Sequence, residues 1–383
     1  MKAIIHANII MPDHIVPDGV IVIDGERIVD VGRNIDTAGL ECDDAGGLYV
    51  GPGLIEMHTH AAKGILLEKD PVGGAEILLN HGVTDALAAL YFDVGAEVLI
   101  SQMRTIRNAM QTGKAPNLCG IYMEAPYMNP KFGSCKGGNP WDKPIRSEDY
   151  LPLLEAGKNL VRIWCLAPER DGILDLVKDA LAYDSSVGFA VAHSEASPFE
   201  IEKLIPYGLR IATHHMDATG TIKRYPAEVR CACVDEAALY NGDIYTEVIC
   251  DKLGVHVDPY NIRLIRKIKG NDRVIVISDS YVDQGNAPPE YAGADDLVFD
   301  AEGILAGTKI TLDEACRNML FNGGASLPDC FRYASMNPAR VLGLRDRGSI
   351  ACGNLANLVI TDDQFHIRQV YLRGKTVKKM TAT

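Results

Sequence analysis

The 383-residue chain contains no run of about 18 apolar residues, so no membrane-spanning helix is expected. It is short of basic charge: 38 Lys and Arg against 51 Asp and Glu leave a formal net charge of −13. With no basic stripe to neutralise phosphates, nonspecific nucleic-acid binding is excluded. The same balance disfavours an anionic membrane surface. It does not exclude a small anionic substrate, because a pocket can be locally positive. No CxxC pair occurs; the ten cysteines are scattered, with Cys231 and Cys233 closest together. The opening "MKAIIHANIIMPDHIV" lacks the apolar length and small-residue cleavage site of a secretory signal. These features together predict a reduced, cytoplasmic protein whose cysteines serve mainly as small core residues. Low-complexity segments and solenoid repeats are also missing.

What is present is alternation. The first stretch reads as β-structure: "KAIIHANIIM" is a strand, and "GVIVIDGERIVDVG" is two strands around Asp24-Gly25, a dipeptide suited to a type I′ hairpin. "GNLANLVITDD" and "HIRQVYLRGKTVKK" near the other end are also strand-like, with a turn at Arg373-Gly374. Between them, segments with apolar residues at helical spacing alternate with short β-branched runs. The helical segments include "GGAEILLNHGVTDALAAL", "AEVLISQMRTIRNAMQTG", "DGILDLVKDALAYD" and "PYNIRLIRKIKGN". Ser197-Pro198 and Asp258-Pro259 are helix-start signals. Such alternation implies a parallel sheet, and about eight units in some 290 residues suit a closed barrel. The expected fold is α/β: a (β/α)8 TIM-like barrel over residues 51–344, with a small β-sandwich built from segments 1–50 and 345–383. The irregular stretches Asn129–Arg146 and Tyr281–Gly303 are candidate lids.

Several apolar runs end on residues that bind metals. "GIYMEAP" delivers Glu124, "VGFAVAHSE" His193, "LRIATHH" His214, "RVIVISDS" Asp279, and "LYVGPGLIEMHTH" delivers His58 and His60. Chemistry at strand C-termini is how a barrel builds an active site. In His58-Thr59-His60 the two imidazoles lie on one side of an extended chain, since strand side chains alternate with period two. A carboxylate closing a buried run, such as Glu124, is costly unless paired or metal-bound. His215 should point to the opposite face from His214 and is read as structural. Asp279 is the acid/base candidate: beside a metal-bound water, a carboxylate can take a proton and return it to a leaving group. A set of N and O donors without Cys fits Zn²⁺, with Fe²⁺, Mn²⁺ or Co²⁺ as alternatives.

The ordered set HxH, Glu, His, His, Asp resembles the amidohydrolase superfamily. "GIYMEAPYMNPKFG" is similar to the GLHLEGPF-NP-KG motif of the N-acetylglucosamine-6-phosphate deacetylase family. "AHSEAS", "ATHHMDATG", "DKLGVHVDP", "VISDS", "LAGTKITLDEACRN" and "ASMNPARVLGLRDRGSIACGNLANLVITD" extend the likeness over nearly the whole chain. The resemblance implies one metal on Glu124, His193 and His214, a second position completed by His58 and His60, and Asp279 as catalytic acid/base. It implies substrate contacts from His256, from the backbone of Leu305 to Gly307, and from Arg224 near a phosphate. The run after the metal His, "MDATG", places Asp217 and Ala218 where family members bind phosphate through the backbone. It further implies a homodimer and a small-molecule N-acetyl amino sugar, most simply the 6-phosphate, as substrate.

The departures fall around the substrate. EGPF becomes EAPY, with Ala125 and Tyr127; the His of "KGAH" is missing, with Ser134 and Cys135 in that region; and Asp217 brings negative charge toward a phosphate. The reading is therefore a metal-dependent deacetylase that releases acetate by attack of a metal-bound hydroxide. One alternative is an amidohydrolase acting on a non-phosphorylated N-acyl sugar or a cyclic amide. A subgroup that bridges two metals with a carbamylated Lys would need a Lys where Glu124 stands. The other alternative is a catalytically inactive scaffold, a class that usually loses the metal ligands retained here.

Overall fold

A computed structural model describes residues 1–134, 138–220 and 231–379. Eight strands lie side by side in chain order, each parallel to its neighbours: Leu54–Thr59, Val83–Tyr91, Leu118–Glu124, Val161–Leu166, Gly188–Val191, Leu209–Ala212, Tyr245–Ile249 and Val274–Ile277. They are the first to eighth barrel strands below. Every residue of the first, seventh and eighth is buried. That is why the sequence shows continuous apolar runs here and no polar alternation: both faces of each strand are covered.

Helices join successive strands, and their starts follow local chemistry. Asp70 caps Pro71–Asn80 by accepting from the Gly73 N–H at 2.9 Å. Ser197 and Glu200 form a reciprocal capping box at Pro198–Leu204. Asp258 accepts from the Tyr260 N–H at 2.7 Å where Pro259–Lys269 begins. The segment "GGAEILLNHGVTDALAAL" departs from the helical expectation in its second half. The helix ends at Asn80, Gly82 turns the chain at φ +86°, and Val83–Tyr91 is a strand. Burial on both sides in a parallel sheet overrides the helical propensity of its Ala and Leu residues.

Closure is made at the C-terminal ends of the strands. The Asp279 N–H donates to the His58 carbonyl at 3.1 Å, and the His60 and Ala61 N–H groups donate to the Ser280 carbonyl at 3.0 and 2.8 Å. Deeper in the seam the buried Glu56 side chain bridges the same two strands. It accepts from the N–H groups of His58 at 3.2 Å and Ser278 at 3.3 Å. Burial pushes the Glu56 carboxyl up to about 8.

The chain ends pair with each other as expected, in one continuous eight-stranded sheet. Tyr49–Pro52 is the join, parallel to Lys2–Ile10 on one side and antiparallel to Leu358–Thr361 on the other. Ile4, Ile9, Ile21, Val50, Leu358 and Tyr371 belong to a core of its own. The first hairpin turns on Gly25-Glu26, one residue later than the sequence suggests, because Asp24 already pairs with Arg27. Gly51 is required at the join: a Cβ there would lie 2.3 Å from the Phe331 ring.

Asp85, on the second strand, ties the barrel to the C-terminal segment. Its carboxylate pairs with the Arg347 guanidinium and accepts from Asn357 at 3.1 Å, and both Asp85 and Asn357 are buried. Removing Asp85 leaves Asn357 without its acceptor and Arg347 with Asp346 as its remaining carboxylate, at 3.0 Å. Asp85→Ala should therefore cost about 2 kcal/mol, read as a lowered urea midpoint with an unchanged slope.

Candidate metal centre

The strand ends bring the predicted residues to one point. Glu124 is the last residue of the third strand, while His193, His214 and Asp279 each stand two residues beyond the fifth, sixth and eighth. These last three have positive φ, at 44°, 30° and 44°. That backbone region is disfavoured for residues with a Cβ and tends to be retained where function needs it. It turns each side chain inward just as the strand stops.

Glu124 is at the middle. Its Oε1 lies 2.6 Å from His193 Nε2 and 3.0 Å from His214 Nε2. Its Oε2 lies 3.2 Å from His60 Nε2 and 3.4 Å from His58 Nε2. Asp279 Oδ1 is 3.5 Å from His58 Nε2 and 3.6 Å from His60 Nε2. The donors thus fall into two triplets, Glu124/His193/His214 and His58/His60/Asp279, each with ligand atoms within 4.8 Å of one another. The two oxygens of one carboxylate face both.

The electrostatics show what the cluster requires. Burial alone would raise the Glu124 pKa, but the His193 and His58 imidazoles outweigh it and hold the carboxyl well below its usual range. Burial would lower the His58 pKa, but Asp279 and Glu124 drive it well above the ordinary value. His214 is pushed up to about 9, its burial outweighed by the Glu124 hydrogen bond and charge. Two carboxylates in a buried centre call for compensating positive charge. Neutral imidazole nitrogens and carboxylate oxygens at this spacing fit a divalent cation that prefers N and O ligands. His214 is already oriented for that role, its Nδ1 facing the Asp217 carbonyl at 3.0 Å.

A cavity of about 40 Å³ opens above the cluster, lined by His60, Glu124, His193, His214 and Asp279 together with Tyr91, Gly133, Ser134, Asp217, Ala218, Tyr281 and Leu305 to Gly307. Asp217, Ala218, Leu305 and Gly307, named from the sequence, therefore reach the site. Gly307 must be glycine: its φ is +127°, and a Cβ would sit 2.7 Å from the Asp279 carbonyl. That carbonyl accepts from the Thr308 N–H at 2.9 Å, pinning Leu305–Thr308 beside Asp279. Gly133 is also tightly packed: a Cβ there would lie 2.7 Å from the Tyr91 hydroxyl and 3.1 Å from His193 Nδ1.

His256 is buried but does not line this cavity. Asp251 clamps it, accepting from the His256 N–H at 2.9 Å and lying 3.3 Å from Nδ1. Burial opposes protonation of His256, but the Asp251 hydrogen bond and the charges of Asp217, Asp251 and Asp279 outweigh it. His215 takes no part in either triplet; it is 3.7 Å from Asp235, and burial pushes its pKa down to about 3. Arg224 and Cys135 lie outside the described residues. Sequence reasoning missed Tyr91 and Tyr281, whose rings stand edge-on to His60 at 5.7 and 5.4 Å. The strand-end rule could have found both, because Tyr91 closes the second strand and Tyr281 follows Asp279 by two residues.

The chain is similar to known proteins over most of its length. Residues 49–377 match the model of the amidohydrolase family. An N-acetylgalactosamine-6-phosphate deacetylase of Escherichia coli is 25% identical over 339 residues, covering 85% of this chain and 86% of its own. An N-acetylglucosamine-6-phosphate deacetylase of Haemophilus influenzae is 26% identical over 394 residues, covering 97% and 98%. Among solved structures, the N-acetylglucosamine-6-phosphate deacetylase of Pasteurella multocida superposes with a TM-score of 0.85 at 23% identity, covering 98% of this chain and 99% of its own. A variant of the Mycobacterium smegmatis enzyme, in complex with N-acetyl-D-glucosamine-6-phosphate, gives 0.82 at 24% identity, with 98% and 99% covered.

If the cluster is a metal centre, chelator-treated protein should gain thermal stability on addition of Zn²⁺, by about 3 kcal/mol at a hundredfold excess over Kd. Glu124→Ala, which removes a donor from one triplet and the carboxylate oxygen that faces the other, should abolish that gain in differential scanning fluorimetry.

Proposed function

The chain belongs to the amidohydrolase family, and on that premise we propose that it is a metal-dependent deacetylase of an N-acetylated amino sugar, with N-acetylglucosamine 6-phosphate as the first candidate substrate. The observation that carries this reading is the sharing of Glu124 between two N/O triplets at the C-terminal mouth of a barrel. Glu124, His193 and His214 would hold one ion, and His58 and His60 would complete a second position with Asp279. Zn²⁺ is the ion proposed. A divalent cation in such a site supplies activation of water and polarisation of the carbonyl under attack.

The chain's own residues supply the rest. Asp279 has the most exposed side chain of the cluster, at 13%, and lines the cavity. It would take the proton of the attacking water and deliver it to the sugar nitrogen as the amide C–N bond breaks. A C–O bond forms at the acyl carbon, and the products are acetate and the free amine. Leu305 to Gly307, with Tyr91 and Tyr281, would lie beside the acyl group, since all of them line the cavity. His256, Ala218 and Arg224 are proposed for the sugar and its phosphate.

A second reading has an observation in its favour. Asp217 lines the cavity, and no Lys or Arg does so among the described residues. A phosphate near Asp217 would meet like charge, so a non-phosphorylated N-acyl sugar is the alternative substrate.

Acetate release measured on N-acetylglucosamine with and without the 6-phosphate decides between these. A higher kcat/KM for the phosphorylated sugar is expected; the reverse would establish the second reading, and no release from either, with metal bound, would remove both. Asp279→Asn should lower kcat roughly a thousandfold. Asp217→Asn should shift the preference further toward the phosphorylated sugar.

A further inference from the structure

Beneath the metal centre, inside the barrel, lies a second carboxylate that the proposed chemistry does not use. Glu247 sits in the middle of the seventh strand and is fully buried. Its Oε2 accepts from the Tyr122 hydroxyl at 2.9 Å, and Oε1 has no hydrogen-bond partner. A charge held this way costs stability, and apolar residues of similar volume often serve a fold as well or better.

His58 Nδ1 lies 3.9 Å from Glu247 Oε2. That nitrogen is also buried and has no hydrogen-bond partner. The other ring nitrogen of His58, Nε2, faces His60 at 3.3 Å and Glu124 at 3.4 Å. One edge of the imidazole thus meets the metal-binding cluster and the opposite edge meets Glu247. Tyr122 links the two: its hydroxyl donates to Glu247 and lies 2.7 Å from Thr213 Oγ1, while its ring packs on His58 with centroids 4.5 Å apart. His214 has a backbone carbonyl behind it, so the two imidazoles are backed by different groups.

We propose that Glu247 is a positioning residue for His58: its carboxylate keeps the proton on Nδ1 and the ring in place, leaving the Nε2 lone pair for a metal ion. A carboxylate behind a ligating imidazole fixes its tautomer and strengthens it as a donor, and losing such a partner typically lowers metal affinity 10- to 100-fold. Glu247 therefore exchanges some stability of the fold for affinity at the His58/His60/Asp279 position. The inference rests on the reading of His58 as a ligand.

The test uses metal-free full-length protein titrated with Zn²⁺ against a chromophoric chelator, alongside the thermal midpoint of each metal-free variant. Glu247→Gln should keep or raise the metal-free Tm and weaken one Zn²⁺ equivalent 10- to 100-fold, leaving the other unchanged. Wild-type affinity at both equivalents overturns the proposal, as does a metal-free Tm that falls in step with affinity, which would make Glu247 merely structural. If Glu247→Gln does not fold, Tyr122→Phe serves instead: it should weaken the same equivalent several-fold, and unaltered affinity overturns the proposal. His58→Asn separates the two levels. If it leaves both equivalents intact, the reading of His58 as a ligand fails; if it removes one while Glu247→Gln removes none, only the inference fails.

Discussion

A single buried carboxylate organises the mouth of this barrel. Glu124 has an imidazole nitrogen within about 3 Å of each oxygen, and four imidazoles within reach overall. Isolated in a low-dielectric interior, an ionised carboxylate would be untenable. Surrounded by His58, His60, His193 and His214 it is stabilised so strongly that its pKa falls despite complete burial. The same field favours positive charge at the centre, of the kind a divalent cation would bring. The left-handed turns at His193, His214 and Asp279 are local strain that this convergence maintains.

The other constraint is the seam between the first and eighth strands. His58, His60 and Asp279 contribute side chains to the strand-end cluster and backbone groups to the hydrogen bonds that close the barrel. Glu56 reinforces the same seam from below with its side chain. Closure of the fold and assembly of the site are thus one event viewed at two levels. A substitution that disturbs either the ladder or the ligands is felt by both.

The strand-end residues are legible in the sequence because polar ligands closing apolar runs break a clear pattern. The pairing of the chain ends is legible because both carry short strands with turn signals. Val83–Tyr91 is not, since a strand buried on both faces loses the two-residue alternation that distinguishes it from a helix. Glu247 and Tyr122 escape notice for a related reason. "YTEVI" and "GIYME" read as ordinary strand text, and only the closed barrel shows that both side chains point into a sealed interior beneath His58. That Glu124 serves both triplets is likewise a property of three dimensions: spacing along the chain carries no information about which oxygen faces which imidazole.

The seam has a further consequence for how the protein is made. Its partners, such as Glu56 and Ser278, are 222 positions apart in the chain. A ribosome releases the first barrel strand long before the eighth. Until the eighth emerges, His58 and His60 lack Asp279, and the first strand has one unpaired edge. The terminal sheet waits longer still, because Tyr49–Pro52 must find Leu358–Thr361. Contacts of such long range make for slow folding and prolonged exposure of strand edges. The strand-end cluster is therefore assembled late in biosynthesis, at barrel closure, and the nascent chain has to be kept from aggregating through the interval before it.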